Sequence, residues 1–347
     1  MNEHALMSPS VVLPVTEPSG ISKARRTAVD LAVQAGFTDR DAGAVAITVT
    51  ELATNLVKHA CDGRIVVRAR RDEVTSIEIL SLDRGPGIAD VGRCLRDGYS
   101  TAGSPGTGLG AVMRAAATFD VESVVGLGTA ILAVVRRSGR ASRTTAADSP
   151  RFDVGAIAVP HAGESVSGDA WAVDEDARCA SFLVADGLGH GLLAADAAGS
   201  AVDAFNKSRG MPPGARLEAL HAALRPTRGA AVGIAQVDTR REIVTFAGIG
   251  NIAAAIVTDG RQRQMVSHAG IMGHDMRRVA EFTYPWRHDS LLVMMSDGLA
   301  THWHFDRYPA LVRRHPSLVA GTLWRDFARG RDDATVLVAR ERTRAAP

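Results

Sequence analysis

Between residues 41 and 60 the apolar side chains Val45, Val49, Leu52 and Leu56 return at the three-and-four spacing of one helix face. At about 100° per residue, Glu51, Asn55 and Lys58 fall together on the adjacent face. The pattern predicts a helix packed on one side and chemically equipped on the other. Residues 22–35 predict a second helix, closed by Gly36, a residue suited to the left-handed position past a helix end. Segments 64–70, 74–82 and 129–135 alternate or run apolar and predict strands. In the second half, short apolar runs bounded by Gly, Asp or Pro predict strands at 152–159, 180–185, 231–237, 243–247, 252–257, 291–295 and 334–339. Helical patterns intervene at 192–205, 215–224 and 308–328. Strands with helices inserted in blocks predict layered α+β sandwiches rather than an alternating, doubly wound sheet.

A chain of 347 residues exceeds the usual size of one core. The stretch RRSGRASRTTAADSP at 136–150 has no apolar periodicity. The expected organisation is a first domain over 16–137, a linker over 138–150 and a second domain over 151–342, with no internal repeat. Forty Lys and Arg against 38 Asp and Glu create no global field, so neither nucleic acid nor a membrane surface is an expected partner. No run of about 18 apolar residues occurs, and neither secretion nor membrane spanning is expected. The three scattered cysteines, Cys61, Cys94 and Cys179, fit reduced thiols in a cytoplasmic protein.

The chemistry concentrates in two acidic sets. In the first half, Asn55 follows Glu51 by one helical turn, so a Mg²⁺ held by the amide oxygen lies beside a potential base. Asp83 ends the strand pattern and opens Asp83-Arg84-Gly85-Pro86-Gly87, whose glycines let backbone pass close to a flat ligand. A carboxylate there can accept a hydrogen bond from an adenine amino group. The run Gly106-Thr107-Gly108-Leu109-Gly110 precedes a helical stretch and presents backbone N–H groups suited to phosphates. No P-loop is present.

In the second half, Asp186 and Asp297 each follow an apolar run and precede glycine, Asp169 lies in Ser167-Gly168-Asp169, and Asp332-Asp333 opens the last strand. Aspartates at strand ends can converge on one end of a sandwich, where their mutual repulsion demands cations. All-oxygen ligation selects Mg²⁺ or Mn²⁺ over zinc, and two such ions can share a bridging carboxylate and activate a water for attack on phosphorus.

In order and spacing, Glu51-Leu-Ala-Thr-Asn55, Asp83-Arg-Gly-Pro-Gly87 and Gly106-Thr-Gly-Leu-Gly110 resemble the three nucleotide-binding boxes of the GHKL ATPase fold. The phrase ELATNLVKHA is most similar to the small anti-sigma serine/threonine kinases of the RsbW and RsbT type. The resemblance implies an α/β sandwich in which Glu51 orients or deprotonates the acceptor hydroxyl, Asn55 binds Mg²⁺ and Asp83 reads the adenine of ATP. The turn Gly106 to Gly110 would wrap the phosphates. Lys58 and Arg84 are either phosphate contacts or surface charges. The succession SGD, ADGLGHG, SDGL, DDAT resembles the metal-dependent PPM phosphatases of the SpoIIE type, in a form similar to the RsbX-like members. It implies an αββα sandwich in which Asp186 bridges two metals, Gly187 ligates through its carbonyl, and Asp169, Asp297 and Asp332 complete the shell. Asp333 is the alternative to Asp332, and His190 is either positional or a general acid. His302-Trp303-His304 reads as an exposed loop rather than a metal pair.

The resemblances together imply a bifunctional partner-switching enzyme using ATP, Mg²⁺ and Mn²⁺. Its expected partners are STAS-domain anti-sigma antagonists or stressosome scaffold proteins, with a sigma factor as a further candidate. The competing expectation makes the first domain a non-catalytic module that senses ATP or binds a sigma factor and controls the phosphatase.

Overall fold

The computed structural model describes residues 10–71, 74–95, 108–138, 150–176, 178–276 and 279–343. They form two compact units, one drawn from 1–149 together with 313–325, the other from 150–312 together with 326–347.

The first unit is built from β1 (Val11–Pro14), α1 (Pro18–Gln34), α2 (Asp39–His59), β2 (Arg64–Arg71), β3 (Thr75–Leu82), α3 (Val91–Cys94), α4 (Gly108–Ala115), β4 (Thr118–Val124) and β5 (Gly128–Arg136). Its strands make one antiparallel sheet in the order β1-β2-β3-β5-β4. The helix α2 starts two residues before the expected position because Thr38 caps it, its hydroxyl accepting from Asp41 N at 3.3 Å. Asp39 and Asp41 in the first turn and Lys58 and His59 in the last complement the helix dipole. The expected stripe Val45, Val49, Leu52 and Leu56 is buried, as are Ala24, Ala28 and Ala32 of α1. Both pack in one core with Ile65, Val67, Ile77, Ile79, Ile131 and Ala133.

Strand residues of the opposite parity, Val66, Leu80, Leu82, Leu132 and Val134, are also buried. Near-continuous apolar runs such as TAILAVV mark strands covered on both faces. On this second face lies a helix from far down the chain, and the full order of elements shows where it comes from.

The second unit contains β6 (Phe152–Val159), β7 (Asp169–Glu175), β8 (Cys179–Gly187), α5 (Leu192–Lys207), α6 (Pro213–Leu224), β9 (Ala230–Asp238), β10 (Ile243–Ile249), β11 (Ala253–Thr258), β12 (Arg261–Gln264), β13 (Phe282–Pro285) and β14 (Leu291–Met295). After β14 come a 3₁₀ turn at Leu311–Arg313 and α7 (Pro316–Phe327), and the chain ends in β15 (Ala334–Glu341). Two antiparallel sheets form, β13-β10-β9-β8-β7 and β12-β11-β14-β15-β6. Phe152, Phe182, Phe246, Trp286, Leu292, Met294 and Leu337 fill the core shared by their strands. The alanine face of α5, with Leu217, Leu220 and Leu224 of α6, packs on Leu183, Val232 and Ile234. The expected α+β class holds.

The helix expected over 308–328 is the shorter α7, and residues 313–325 belong to the first unit. Every residue from Pro316 to Arg325 is buried, so no polar face marks it as a surface helix. A Cβ on Gly321 would stand 3.2 Å from both Leu80 and Leu82, so the missing side chain sets the close approach of helix to sheet. Ser317 Oγ donates to Glu78 at 2.7 Å, Arg314 Nε to Glu122 at 2.8 Å, and the Arg64 guanidinium stacks 5.3 Å from the Trp324 ring. Burial would raise the Glu78 carboxyl, but Arg68, Arg70, the Ser317 hydroxyl and His315 outweigh it and hold the carboxyl down at about 2.

Candidate nucleotide and metal sites

In the first unit the end of α2, the turn after β3 and the start of α4 meet. A Cβ on Gly108 would stand 2.9 Å from Glu51 Oε2, so the carboxylate lies against the first residue of α4. Asn55 is half-buried one turn further on and Lys58 is exposed. The turn after β3 is tied to the end of α2 by Arg84 N donating to Cys61 O at 2.9 Å. Asp83 is buried, and its Oδ1 accepts from Gly85 N at 2.7 Å and Thr129 N at 3.2 Å. Burial pushes its carboxyl up against the pull of those two donors and of Arg325. Gly87 adopts φ +75°, and a Cβ there would collide with Val124 O at 2.3 Å. Gly85 is less constrained, a Cβ there lying 2.9 Å from Asp83 Oδ1. Gly108, Leu109 and Gly110 form the first turn of α4, while Gly106 and Thr107 lie outside the described residues. Arg84 donates to the Arg325 carbonyl and stands 3.7 Å from Asp62, contacts that make it a tie within the unit.

In the second unit Asp169 and Asp186 face each other across the β7–β8 register. Asp297 follows β14, and Asp332 and Asp333 precede β15, its hydrogen-bonded neighbour. Asp169 Oδ2 accepts from Ser296 Oγ at 2.6 Å, and Ser296 Oγ in turn accepts from Thr335 N at 2.9 Å. Asp333 Oδ1 accepts from His161 N at 2.8 Å. Asp297 Oδ2 accepts from Asn251 Nδ2 at 2.7 Å. Asp332 is exposed, while Asp333 is buried. Sequence reasoning missed Ser296, His161 and Asn251. Ser296 carries a signal, since it sits directly before Asp297 in the SDGL motif, whereas the other two act from separate loops.

The electrostatics of the cluster are one-sided. Burial, then the charges of Asp169, Asp297, Asp332 and Asp333, push the Asp186 carboxyl far above the carboxylate range. Burial raises Asp169 too, against the Ser296 hydrogen bond, and Asp333 adds to the rise. Asp297 is raised by burial and by Asp332, opposed by Arg329 and Asn251. Two buried oxygens, Asp169 Oδ1 and Asp333 Oδ2, have no hydrogen-bond partner. Orphaned carboxylate oxygens in an all-oxygen set fit a hard divalent cation. Among the described residues no three His, Cys, Asp or Glu side chains stand at metal-ligand spacing. Glycine is required around it, since a Cβ on Gly187 would meet Ala194 O at 2.1 Å and one on Gly298 would meet Asp333 O at 1.9 Å.

His190 Nδ1 pairs with Glu164 Oε1 at 2.8 Å, and its ring stacks on His161 at 4.7 Å. In the expected exposed loop at 302–304, His302 and His304 are exposed, but Trp303 is buried against Phe305 and anchors it. Burial and the charges of Asp238 and Asp176 raise the Cys179 thiol, which disfavours a reactive thiolate.

Comparison with known proteins places matches on both halves. The family described as histidine kinase-like ATPase domain matches residues 15–135, and that described as Stage II sporulation protein E (SpoIIE) matches residues 176–342. Over 115 residues the chain is 35% identical to the serine/threonine-protein kinase RsbT of Bacillus subtilis (strain 168), covering 33% of this chain and 86% of that protein. A solved structure from work on the bacterial stressosome, as a modular system adapted to control secondary messenger signalling, matches with a TM-score of 0.51 at 27% identity. It covers 55% of this chain and all of the other.

Proposed function

Since the chain belongs, through its first half, to the family of RsbT-type serine/threonine kinases and carries a SpoIIE-type phosphatase domain in its second, we propose that it is a bifunctional partner-switching regulator. Its first unit phosphorylates Ser or Thr on a STAS-type regulatory protein, and its second removes phosphate from phosphoserine or phosphothreonine. Kinship to RsbT and likeness to a structure from work on the stressosome support this substrate class. A stressosome scaffold or an anti-sigma antagonist is the natural acceptor, and a sigma factor is a further partner. Among the described residues no helix is long and apolar enough to cross a membrane, and the proposed setting is the cytoplasm.

In the first unit Asp83 Oδ1 is engaged by two backbone donors, which leaves Oδ2 to accept from the adenine amino group. Gly85 and Gly87 keep the turn thin enough for the ring. Asn55 would hold Mg²⁺, Lys58 would reach the phosphates, and the run Gly106, Thr107, Gly108, Leu109 and Gly110 would wrap them. Glu51, lying against Gly108, takes the proton of the acceptor hydroxyl. Bound ATP supplies the phosphoryl group, and transfer depends on positioning and charge stabilisation.

In the second unit Asp186, the Gly187 carbonyl, Asp169, Asp297 and Asp332 are the residues that would hold divalent cations. Asp332 is preferred over Asp333 because Asp333 is buried and held by His161 N, whereas Asp332 is exposed beside Asp297. A bound cation pair supplies charge neutralisation and an acidified water. Ser296 and Asn251 fix the carboxylates that receive it.

The observation that carries the phosphatase reading is the buried, unpartnered Asp169 Oδ1 across the strand pair from Asp186, whose carboxyl is pushed up by burial and by four neighbouring carboxylates. The experiment is a two-step assay on the full chain. It is given γ-labelled ATP, Mg²⁺ and a candidate STAS protein, and the labelled product is then re-exposed to the chain with Mn²⁺. Label should enter the STAS protein and leave as inorganic phosphate. Absence of any transfer, together with tight binding of a sigma factor, would replace the kinase reading by the binding-module one.

A further inference from the structure

The exposed leucines among the described residues are Leu188, Leu192 and Leu193, all in the stretch that directly follows Asp186 and Gly187. Leu192 and Leu193 open α5 and are 77% and 56% exposed, whereas the helix beyond them buries a face of alanines. Apolar surface gathered in this way stays in water at a cost that contact with a partner removes. Close packing fixes the place of these leucines. A Cβ on Gly187 would meet Ala194 O at 2.1 Å, and one on Gly168 would meet the Ala194 Cβ at 2.7 Å. Gly168 and Gly187 are the chain neighbours of Asp169 and Asp186, so the first turn of α5 lies against the backbone of two members of the aspartate set.

A cation borders the same turn. Leu188 N donates to Gly229 O at 3.0 Å, which joins the loop between α6 and β9 to it. Gly229 N donates to Thr227 Oγ1 at 3.0 Å, and that hydroxyl donates to Leu224 O at 2.7 Å. Gly229 itself adopts φ +82°, where a Cβ would collide with Met272 O at 2.5 Å. The backbone on both sides of Arg228 is thereby held, and its Nη1 stands 3.3 Å from where a Cβ on Gly189 would lie. Arg228 is exposed, and among the described residues no carboxylate pairs with it.

We propose that this rim is the docking surface for the phosphoprotein substrate of the second unit. Leu192 and Leu193 receive apolar side chains flanking the phosphorylated residue, and Arg228 receives an acidic side chain beside them. The inference rests on the reading of the second unit as a phosphatase and names the chemistry of its substrate. A phosphorylated side chain that enters the aspartate set lays its own main chain and neighbours on whatever borders that set, and the rim is continuous with it. A second copy of the chain seated here would instead block the approach. Apolar contact supplies the affinity, and the guanidinium sets register and rejects segments without the acid.

The test uses the full chain and synthetic peptides of one length. The first has serine flanked by leucines and one glutamate, the second replaces the leucines by alanine, and the third replaces the glutamate by glutamine. With chelator present, the unphosphorylated leucine peptide should bind roughly tenfold or more tightly than the alanine peptide by fluorescence anisotropy. With Mn²⁺, kcat/KM for the phosphoserine forms should follow the same order, the difference falling on KM. Leu192→Ser combined with Leu193→Ser alters two exposed side chains, so the fold should persist. That variant should lose the preference for leucine and hydrolyse an aryl phosphate at the wild-type rate. Arg228→Gln should lose the preference for glutamate over glutamine and keep that for leucine. If wild type shows no Mn²⁺-dependent hydrolysis of the aryl phosphate, the phosphatase reading falls and the docking surface with it. If the aryl phosphate is hydrolysed while the peptides are bound and cleaved alike, the docking surface falls and the phosphatase stands. Loss of aryl phosphate hydrolysis in the leucine variant would make the leucines supports of the aspartate set and overturn the proposal. A change from dimer to monomer in that variant, with peptide preference intact, would assign the rim to a second copy.

Discussion

Asp83 and Asp186 each lie at the end of an apolar strand and begin a glycine-bearing turn, yet their surroundings differ in kind. Asp83 Oδ1 is satisfied by the backbone N–H groups of Gly85 and Thr129, and the Arg325 cation opposes the rise that burial imposes. Asp186 has four carboxylates acting on it, all pushing its own in the direction that burial already pushes. A carboxylate held by fixed dipoles suits a neutral ligand with hydrogen to donate. Carboxylates left to repel one another suit a ligand that brings positive charge. Burial alone does not distinguish the two sites; the sign of the neighbours does.

The contrast is broken most decisively at Asp186. In the asparagine variant, hydrolysis of an aryl phosphate with Mn²⁺ should fall to background, because the bridging charge is gone. Without metal, the same variant should melt at a temperature equal to or above that of wild type, since one buried repelling charge has been removed. Mn²⁺ should raise the melting temperature of wild type and leave the variant unmoved. Calorimetric scans with chelator and with Mn²⁺ check both statements, and a destabilised metal-free variant would mean that Asp186 is held by partners as Asp83 is. Cys179→Ser should leave hydrolysis unchanged throughout.

In the first unit the corresponding charge removal should behave otherwise. Glu51→Gln should depress phosphoryl transfer to the acceptor protein by about 10² to 10⁴, the usual worth of a positioned base. Its ATP affinity should stay close to wild type, because the proton it takes belongs to the acceptor. Single-turnover transfer measured beside equilibrium nucleotide binding separates the two. A parallel loss of both would move Glu51 from proton transfer to nucleotide positioning.

The two regions also differ in how far the sequence discloses them. Central strands were legible because they are apolar on one or both faces, and 291–295 matches β14 residue for residue. The strands β1, β4, β7, β12 and β13 were not expected, and all five lie at sheet edges. Edges carry charge or proline to discourage further pairing, as in the RQRQ of β12 and the Pro14 that ends β1, and this erases the apolar pattern. The aspartates and glycines of both sites were readable because the backbone forbids alternatives at Gly87, Gly187 and Gly298. Asn251, which holds the Asp297 carboxylate, was not, since an amide next to a glycine-rich turn carries no spacing signal, whereas Ser296 stands directly before Asp297 in the SDGL motif. Nor did linear order show that 313–325 belongs with the ATPase sheet. The doubly buried strands β3 and β5 were the only trace of the missing layer.

Acid should sharpen the comparison at Glu78, a buried carboxylate of the first unit that is neutralised from within. Its folded value lies at about 2 against an ordinary 4.5, held there by Arg68, Arg70, Ser317 and His315 against the opposing effect of burial. Because the folded value is depressed, the contribution is fully present above about 4.5 and is lost as pH falls toward 2. The shift corresponds to about 3 kcal/mol. Hydrogen exchange followed from pH 6 down to 3 should show protection falling in β2, β3 and α7. Glu78→Gln should be less stable than wild type at pH 6, and the difference should shrink on acidification. A constant difference across that range would show that packing, and not charge, sets its contribution.

The smallest expected effect is at Asp83, and it tests whether backbone donors alone make the site. Asp83→Asn is nearly isosteric and keeps an oxygen that can accept from Gly85 N and Thr129 N, so the turn should persist. It removes the charge that would accept from an adenine amino group, a hydrogen bond worth about 1.5 to 3 kcal/mol. Affinity for ATP with Mg²⁺ should therefore fall by about tenfold or more, read by calorimetry. Metal-dependent phosphatase turnover without nucleotide should not change, because no aspartate of the second set is touched. If nucleotide affinity is unaltered, Asp83 is a structural carboxylate that only holds its own turn. Its likeness to Asp186 would then extend no further than sequence position.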